Sequence, residues 1–276
     1  IVSDSNNKAE ASTPMSKRLH NSHPYKQEKL LFLKEEHTAA KVHTWFLQRF
    51  WKLFPLIQIL VTRRNNSNKK IKQLGIACLE TLPVIEDSTQ VSLKDIDTIC
   101  KRAIACLIST QLAIDISENN DYDSSKTFFL NMLKQYGVQD NLIEKEKRIF
   151  NGKYSKQDVI DVVWSYEAYW SLVWTLGLVE NIDYPNQICD CEKAIMLVST
   201  CKTYDDFKCK CKIRDIEEIL DMLDLYYRYD WAVTEKRINP DTLIADLNPD
   251  VVVERRKGLE WLIANEEDWD EISLDT

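Results

Sequence analysis

Beyond His43 the chain contains no histidine. All four (His20, His23, His37 and His43) fall near the start of its 276 residues. A Ser-His-Asp triad, a Cys-His pair or an H-E-x-x-H zinc site therefore cannot be built from the rest of the chain. Glycine is nearly as scarce: there are 5, with 7 prolines, too little turn material for an all-β fold. Neither G-x-x-x-x-G-K-[ST] nor G-x-G-x-x-G occurs, which excludes phosphate cradles of those two kinds. No run of about 18 uncharged apolar residues occurs, so nothing reads as a transmembrane segment.

The chain is instead rich in apolar, aromatic and acidic residues. Hydrophobic residues make up 44% of it, with 8 Trp, 11 Tyr and 8 Phe, a globular rather than disordered composition. Its length suffices for a substantial core in one domain with an appendage. The expected class is all-α: a single compact helical domain over about 63–276, with an N-terminal helical extension. The net charge of −8 conceals two unlike parts. Residues 1–72 hold 14 Lys and Arg against 5 Asp and Glu, whereas residues 73–276 hold 22 against 39. An acidic body is a poor surface for phosphates, so no nucleic-acid partner is expected.

The chain begins at Ile1 with Met15 inside, as a fragment or a chain with a foreign leader does. Residues 1–24 are polar and read as a disordered leader. No apolar stretch follows the basic residues near Lys17, so no secretory signal is expected. Residues 25–62 form a basic aromatic helical extension, with Trp45, Phe46, Phe50, Trp51 and Phe54 among Lys41, Arg49 and Lys52. Such a segment packs on its own domain, docks a partner, or makes peripheral membrane contact over residues 42–60. TRRNNSNKK (62–70) reads as a linker, with Ser67 capping a short helix to Leu74 and an extended LETLPVIE beyond Gly75. Helices are expected from Ser92 through Ile116, over Phe128–Tyr136, over 140–151, over Gln157–Glu180 and over Val251–Asn265. Ser155 with Asp158 makes a capping box for the Gln157 helix, and Pro249 fixes entry into the last one.

The most informative stretch is IRDIEEILDMLDLYYRYDWAVTEKRI, Ile213–Ile238. It reads as one helix of about seven turns, apolar over most of its circumference and so central to the domain. Yet Glu217, Asp221, Asp224, Arg228 and Glu235 form a single narrow stripe along it. Buried charges need partners, a metal or an opening to water. Glu217, Asp221 and Asp224 are spaced to hold Mg²⁺ or Mn²⁺, or to act as acid and base. The expected outcome is that two or more of Arg214, Arg228, Arg255 and Arg256 neutralise them. Glu167 falls on the side of Trp164, Ser171 and Trp174, with Arg102, Arg228 or Arg255 as its partner. The expectation is that Glu167 and Arg228 share one buried network. Glu254 and Arg255 of the last helix complete the candidate polar set, and Arg255 or Arg256 offers a bidentate fork to the central helix. Five of the 8 cysteines crowd between Cys189 and Cys211. Cys189, Cys191, Cys209 and Cys211 are an alternative metal set, against a reading as reduced thiols. No cofactor is expected.

The segments LPVIE, WSYEAYWSLVWTLG, RDIEEILDMLDLYYRYDWAVTE, VVVERRKGLEWLI and WDEISLDT resemble the bacterial family known as domain of unknown function 4272 (DUF4272). The resemblance runs from about Arg63 to Thr276, and the segment before Thr62 departs from the family's usual start. It implies a compact, mainly α-helical cytoplasmic domain and brings no activity or catalytic residues with it. Two functional readings follow from the residues. The favoured one is a non-enzymatic acidic interaction module that binds, and neutralises, a basic protein partner, as bacterial toxin-neutralising proteins do. The alternative is a carboxylate- and divalent-metal-dependent hydrolase of a phosphorylated small molecule.

Overall fold

The computed structural model describes residues 57–182, 184–264 and 269–275. Pro55–Thr276 form one compact unit. The expected leader (1–24) and all of the expected extension before residue 57 lie outside the described residues. Among the described residues the fold is all-α, with nine α-helices and no strand.

Helix α1 spans 57–73, so the stretch expected to be a linker is helical throughout. Its Asn and Ser residues are modest helix formers, but packing overrides that preference. Ile71 is fully buried, and Arg63, Ser67 and Asn68 are also enclosed. Gly75, at φ +72°, closes the helix, with Ile76 N donating to Ile71 O at 3.1 Å. The chain then runs without regular structure to α2 (Ile96–Ser117), whose N-cap Asp95 accepts from Thr98 N.

Helix α3 (Tyr122–Tyr136) starts a turn and a half earlier than its apolar pattern suggests, because Asp121 caps it. A 3₁₀ turn (Gln139–Asn141) and the short α4 (Glu144–Phe150) replace the single helix expected over 140–151. Helix α5 (Lys156–Thr175) opens on the Ser155/Asp158 capping box. It stops five residues short of Glu180 because Gly177, at φ +70°, turns the chain. A Cβ at Gly177 would lie 2.7 Å from Lys212 O. Helices α6 (Cys191–Ser199) and α7 (Tyr204–Lys208) are short. Helix α8 (Ile216–Ile238) and helix α9 (Pro249–Ile263), with Pro249 in its first turn, complete the set.

Helix α5 packs between α2 and α9, and α9 packs in turn against α8. Small residues let these axes come close. Thr110 Oγ1 donates to Val162 O at 3.0 Å across α2 and α5. Ser171 Oγ donates to Arg255 O at 2.9 Å across α5 and α9. A Cβ on Gly258 would meet Ala168 O at 2.6 Å, so the α5–α9 approach requires glycine there. The core holds Trp170, Trp174, Tyr169 and Tyr226, and Trp269 of the C-terminal segment folds back against Trp261 with ring centroids 5.3 Å apart. Among the described residues no helix is long and apolar enough to cross a membrane.

Candidate functional site

The acidic stripe of α8 meets arginines. Asp224 is fully buried, and Arg228, one turn on, forks it: Nε to Oδ2 at 2.9 Å and Nη2 to Oδ1 at 3.0 Å. Glu217 and Asp221 share Arg63 of α1, which reaches them through Nη2 at 2.6 Å and Nε at 2.8 Å. Glu235 is half-buried two turns beyond Arg228 and takes no part in these ion pairs. Two or more of Arg214, Arg228, Arg255 and Arg256 were expected on the stripe, and of these only Arg228 is there. Arg63 was hidden by its setting in an apparent linker.

The same groups hold a segment that has no secondary structure of its own. Arg63 Nη1 donates to Ile85 O and Glu86 O at 3.3 and 2.9 Å. Arg228 Nη2 donates to Pro83 O at 3.2 Å, and Asp224 Oδ1 accepts from Ile85 N at 3.3 Å. The backbone of 83–86 thus finds in side chains the partners that a strand neighbour would supply. Arginine suits the task because it has five donors in a rigid fork and no acceptor.

Glu167 and Arg255 repeat the device. Arg255 Nε donates to Glu167 Oε2 at 2.8 Å, with both side chains almost completely buried. Glu167 Oε1 accepts from Cys189 N at 2.7 Å, and Arg255 Nη1 donates to Ile182 O at 2.7 Å. The expected Glu167–Arg228 network therefore does not form: Arg228 pairs with Asp224 and faces 83–86, while Glu167 takes Arg255. The close α5–α9 approach at Gly258, less than a turn from Arg255, sets that choice.

Three further clamps follow the pattern. Arg102 pairs with the buried Glu146 and donates to Asn141 O at 2.7 Å, and Glu146 accepts from Ile143 N. Burial holds the Glu146 carboxyl above the usual range, and Arg102 offsets only part of that. Arg256 pairs with Asp230 of α8 and donates to Leu274 O at 3.0 Å and Asp275 O at 3.2 Å. The Asp230 carboxyl is likewise raised by burial, against the pull of Arg256. Sequence reasoning missed Asp230 because it lies off the acidic stripe, on the side facing α9. Arg214 grips the C-terminal end of α5, reaching Trp174 O, Val179 O and Glu180 O at 2.7–2.8 Å while it pairs with Glu218.

Glu254 differs from the other carboxylates. It is half-buried, its Oε2 has no hydrogen-bond partner, and burial raises its pKa, with nearby Lys257 and Lys145 opposing the shift and Asp161 adding to it. Two adjoining hollows of about 370 and 390 Å³ lie along the seam of α1 and α8 and share Lys70, Glu218, Met222 and Leu225. Trp174, Tyr184, Tyr226 and Tyr229 line the first. The acids that border them on α8, Glu218 and Asp221, are already ion-paired with Arg214 and Arg63.

All eight cysteines are free thiols. Cys189 and Cys191 flank the start of α6, and Cys209 and Cys211 follow α7. Among the described residues no group of three or more His, Cys, Asp or Glu is placed to hold a metal ion. This applies to both sets that spacing had suggested, Glu217/Asp221/Asp224 and Cys189/Cys191/Cys209/Cys211. Burial pushes the Cys189 thiol far up, which disfavours a nucleophilic thiolate there.

These clamps tie the segments LPVIE, WSYEAYWSLVWTLG and VVVERRKGLEWLI into one frame. Residues 63–272 match the family described as Domain of unknown function (DUF4272), and the chain belongs to that family. No curated protein and no solved structure matches the chain.

Proposed function

We infer that this chain is a non-enzymatic, acidic interaction module, working in the cytoplasm, that binds and neutralises a basic protein partner. One observation carries this reading. The carboxylates best spaced for catalysis or metal binding (Glu217, Asp221, Asp224 and Glu167) are each held by an arginine that is also tied to a loop carbonyl. Side chains so engaged serve folding and are poor ligands or proton carriers. Residues 63–276 nevertheless hold 27 Lys and Arg against 39 Asp and Glu. The internal pairs cancel, so the acidic surplus falls on the exterior, where it favours positively charged partners and speeds encounter with them.

The test is capture of partners by the full chain from its native cells at low and high salt, with mass-spectrometric identification. Enrichment of basic proteins, lost as salt screens the exposed charge, is the expected result. The hydrolase reading makes the opposite demand. Saturable Mn²⁺ binding by the purified chain that is abolished by Asp221→Asn would overturn the interaction reading.

A further inference from the structure

Helix α1 carries a polar face of its own. Asn65, Asn68, Lys69, Lys72 and Gln73 recur at the spacing that lines side chains up along one side of a helix. With Glu80, from the irregular chain beyond Gly75, they line a hollow of about 420 Å³, large enough for a small ligand. It shares no lining residue with the two hollows of the α1–α8 seam. Its walls are polar throughout.

Asn68 is the informative member. Only 8% of it is exposed, and its Oδ1 has no hydrogen-bond partner. Buried amide oxygens are nearly always given a donor. One turn back along the helix, Arg64 Nε is buried and unpartnered as well. The charge around this acceptor is positive, since residues 57–79 contain five Lys and Arg and no Asp or Glu. Lys72 is engaged by Glu80. Lys69 is exposed and, among the described residues, has no carboxylate partner.

We propose that this hollow binds a sugar phosphate. A hydroxyl can donate to Asn68 Oδ1 and accept in turn from the amide of Asn65 or Gln73. Glu80 and Lys72 extend the row, one accepting from a second hydroxyl and the other donating to it. The phosphate belongs beside Lys69, whose ammonium is a point charge suited to it. Neither half of such a ligand satisfies the whole row. A neutral sugar leaves Lys69 unpaired, and a bare phosphate brings no chain of hydroxyls to Asn68 and Glu80. A nucleobase would gain no stacking here, because no lining residue is aromatic. Binding would join α1 to the chain that carries Glu80, beside the point where Arg63 already ties the helix to Ile85 and Glu86.

The test is calorimetric titration of the full chain with glucose-6-phosphate, ribose-5-phosphate, glucose and inorganic phosphate. At least one of the two sugar phosphates should bind saturably at a single site. Glucose and inorganic phosphate should each bind roughly tenfold more weakly, the loss expected for one charge-assisted hydrogen bond. Hydrogen exchange over 65–73 and around Glu80 should slow when the sugar phosphate is bound. Lys69→Gln, at an exposed position, should weaken the sugar phosphate by roughly the same factor and leave glucose unaffected. Asn68→Ala should weaken both. If that variant fails to fold, Lys69→Gln alone decides. The proposal is overturned if neither sugar phosphate binds saturably, or if inorganic phosphate binds as tightly as they do. Unchanged sugar-phosphate affinity in Lys69→Gln would overturn it equally, and Asn68 would then be a packing residue that meets only solvent.

Discussion

Arg63 and Asp221 lie 158 positions apart in the chain, and Arg63 Nε donates to Asp221 Oδ1 at 2.8 Å. The arginine is buried while its two acids keep water contact, with side-chain exposures of 36% for Glu217 and 59% for Asp221. Breaking this pair should therefore cost less than breaking a fully enclosed one, because the acids can rehydrate. Arg63→Met should destabilise by about 1–3 kcal/mol, mainly through the carbonyls of Ile85 and Glu86 that lose their donor. Hydrogen exchange should quicken in 57–73 and 84–87 and stay unchanged in α5. Equal loss of protection throughout would show that α1 is not separately anchored.

The enclosed pair should behave differently. Arg255→Met strands Glu167 in the core and should cost about 3–5 kcal/mol, or roughly 2–4 °C of thermal midpoint per kcal/mol for a chain of this size. A double-mutant cycle with Glu167→Gln should show strong coupling. The cycle pairing Glu167→Gln with Arg228→Met should be additive within about 0.5 kcal/mol, since these groups share no partner. Coupling in the second cycle equal to that in the first would return Arg228 to the Glu167 network.

Gly258 tests the spacing that makes the Glu167–Arg255 pair possible. In an open helix Gly→Ala stabilises by about 1 kcal/mol. Here the new methyl would lie 2.6 Å from Ala168 O and 3.0 Å from Ser171 Cβ, so Gly258→Ala should instead destabilise by about 1–3 kcal/mol. Urea denaturation reads the sign directly.

Glu254 should give the protein an unusual acid response. Its folded pKa is raised, chiefly by burial, so between the unfolded and folded values the native state binds more protons than the unfolded one. Stability from this group is then full below the unfolded pKa of about 4.3 and declines as pH climbs through the folded value. Glu254→Gln should raise the melting temperature at pH 7.5, and the gain should shrink toward pH 4. Asp158 is the opposite case. Its bond to Arg148 depresses its pKa, so Asp158→Asn should lower stability at neutral pH. A Glu254→Gln effect independent of pH would locate its cause in packing rather than in titration.

The sequence made the long helices legible and left their partners obscure. The Ser155/Asp158 box, the apolar breadth of 213–238 and Pro249 are local signals, and each lies where the structure starts or centres a helix. The need of Glu167 for an arginine was likewise readable from burial alone. Its identity was not, because Arg102, Arg228 and Arg255 are equal candidates until Gly258 and Ser171 set the distance between α5 and α9. Arg63 was lost because TRRNNSNKK carries no apolar period, and the acids that hold it are more than 150 residues away. The early stop of α5 at Gly177 was missed for a similar reason: Lys212 O, which leaves no room for a side chain there, comes from another part of the chain.

The arginine forks grip main-chain carbonyls, and a carbonyl is present whatever residue stands at the position. Pro83, Ile85, Asn141, Ile182 and Leu274 are held through an atom common to all twenty amino acids. Where their side chains are not themselves packed, these loops can drift in sequence without loosening the frame. The frame then rests on the placing of a few arginines, and the segments between them are open to substitution.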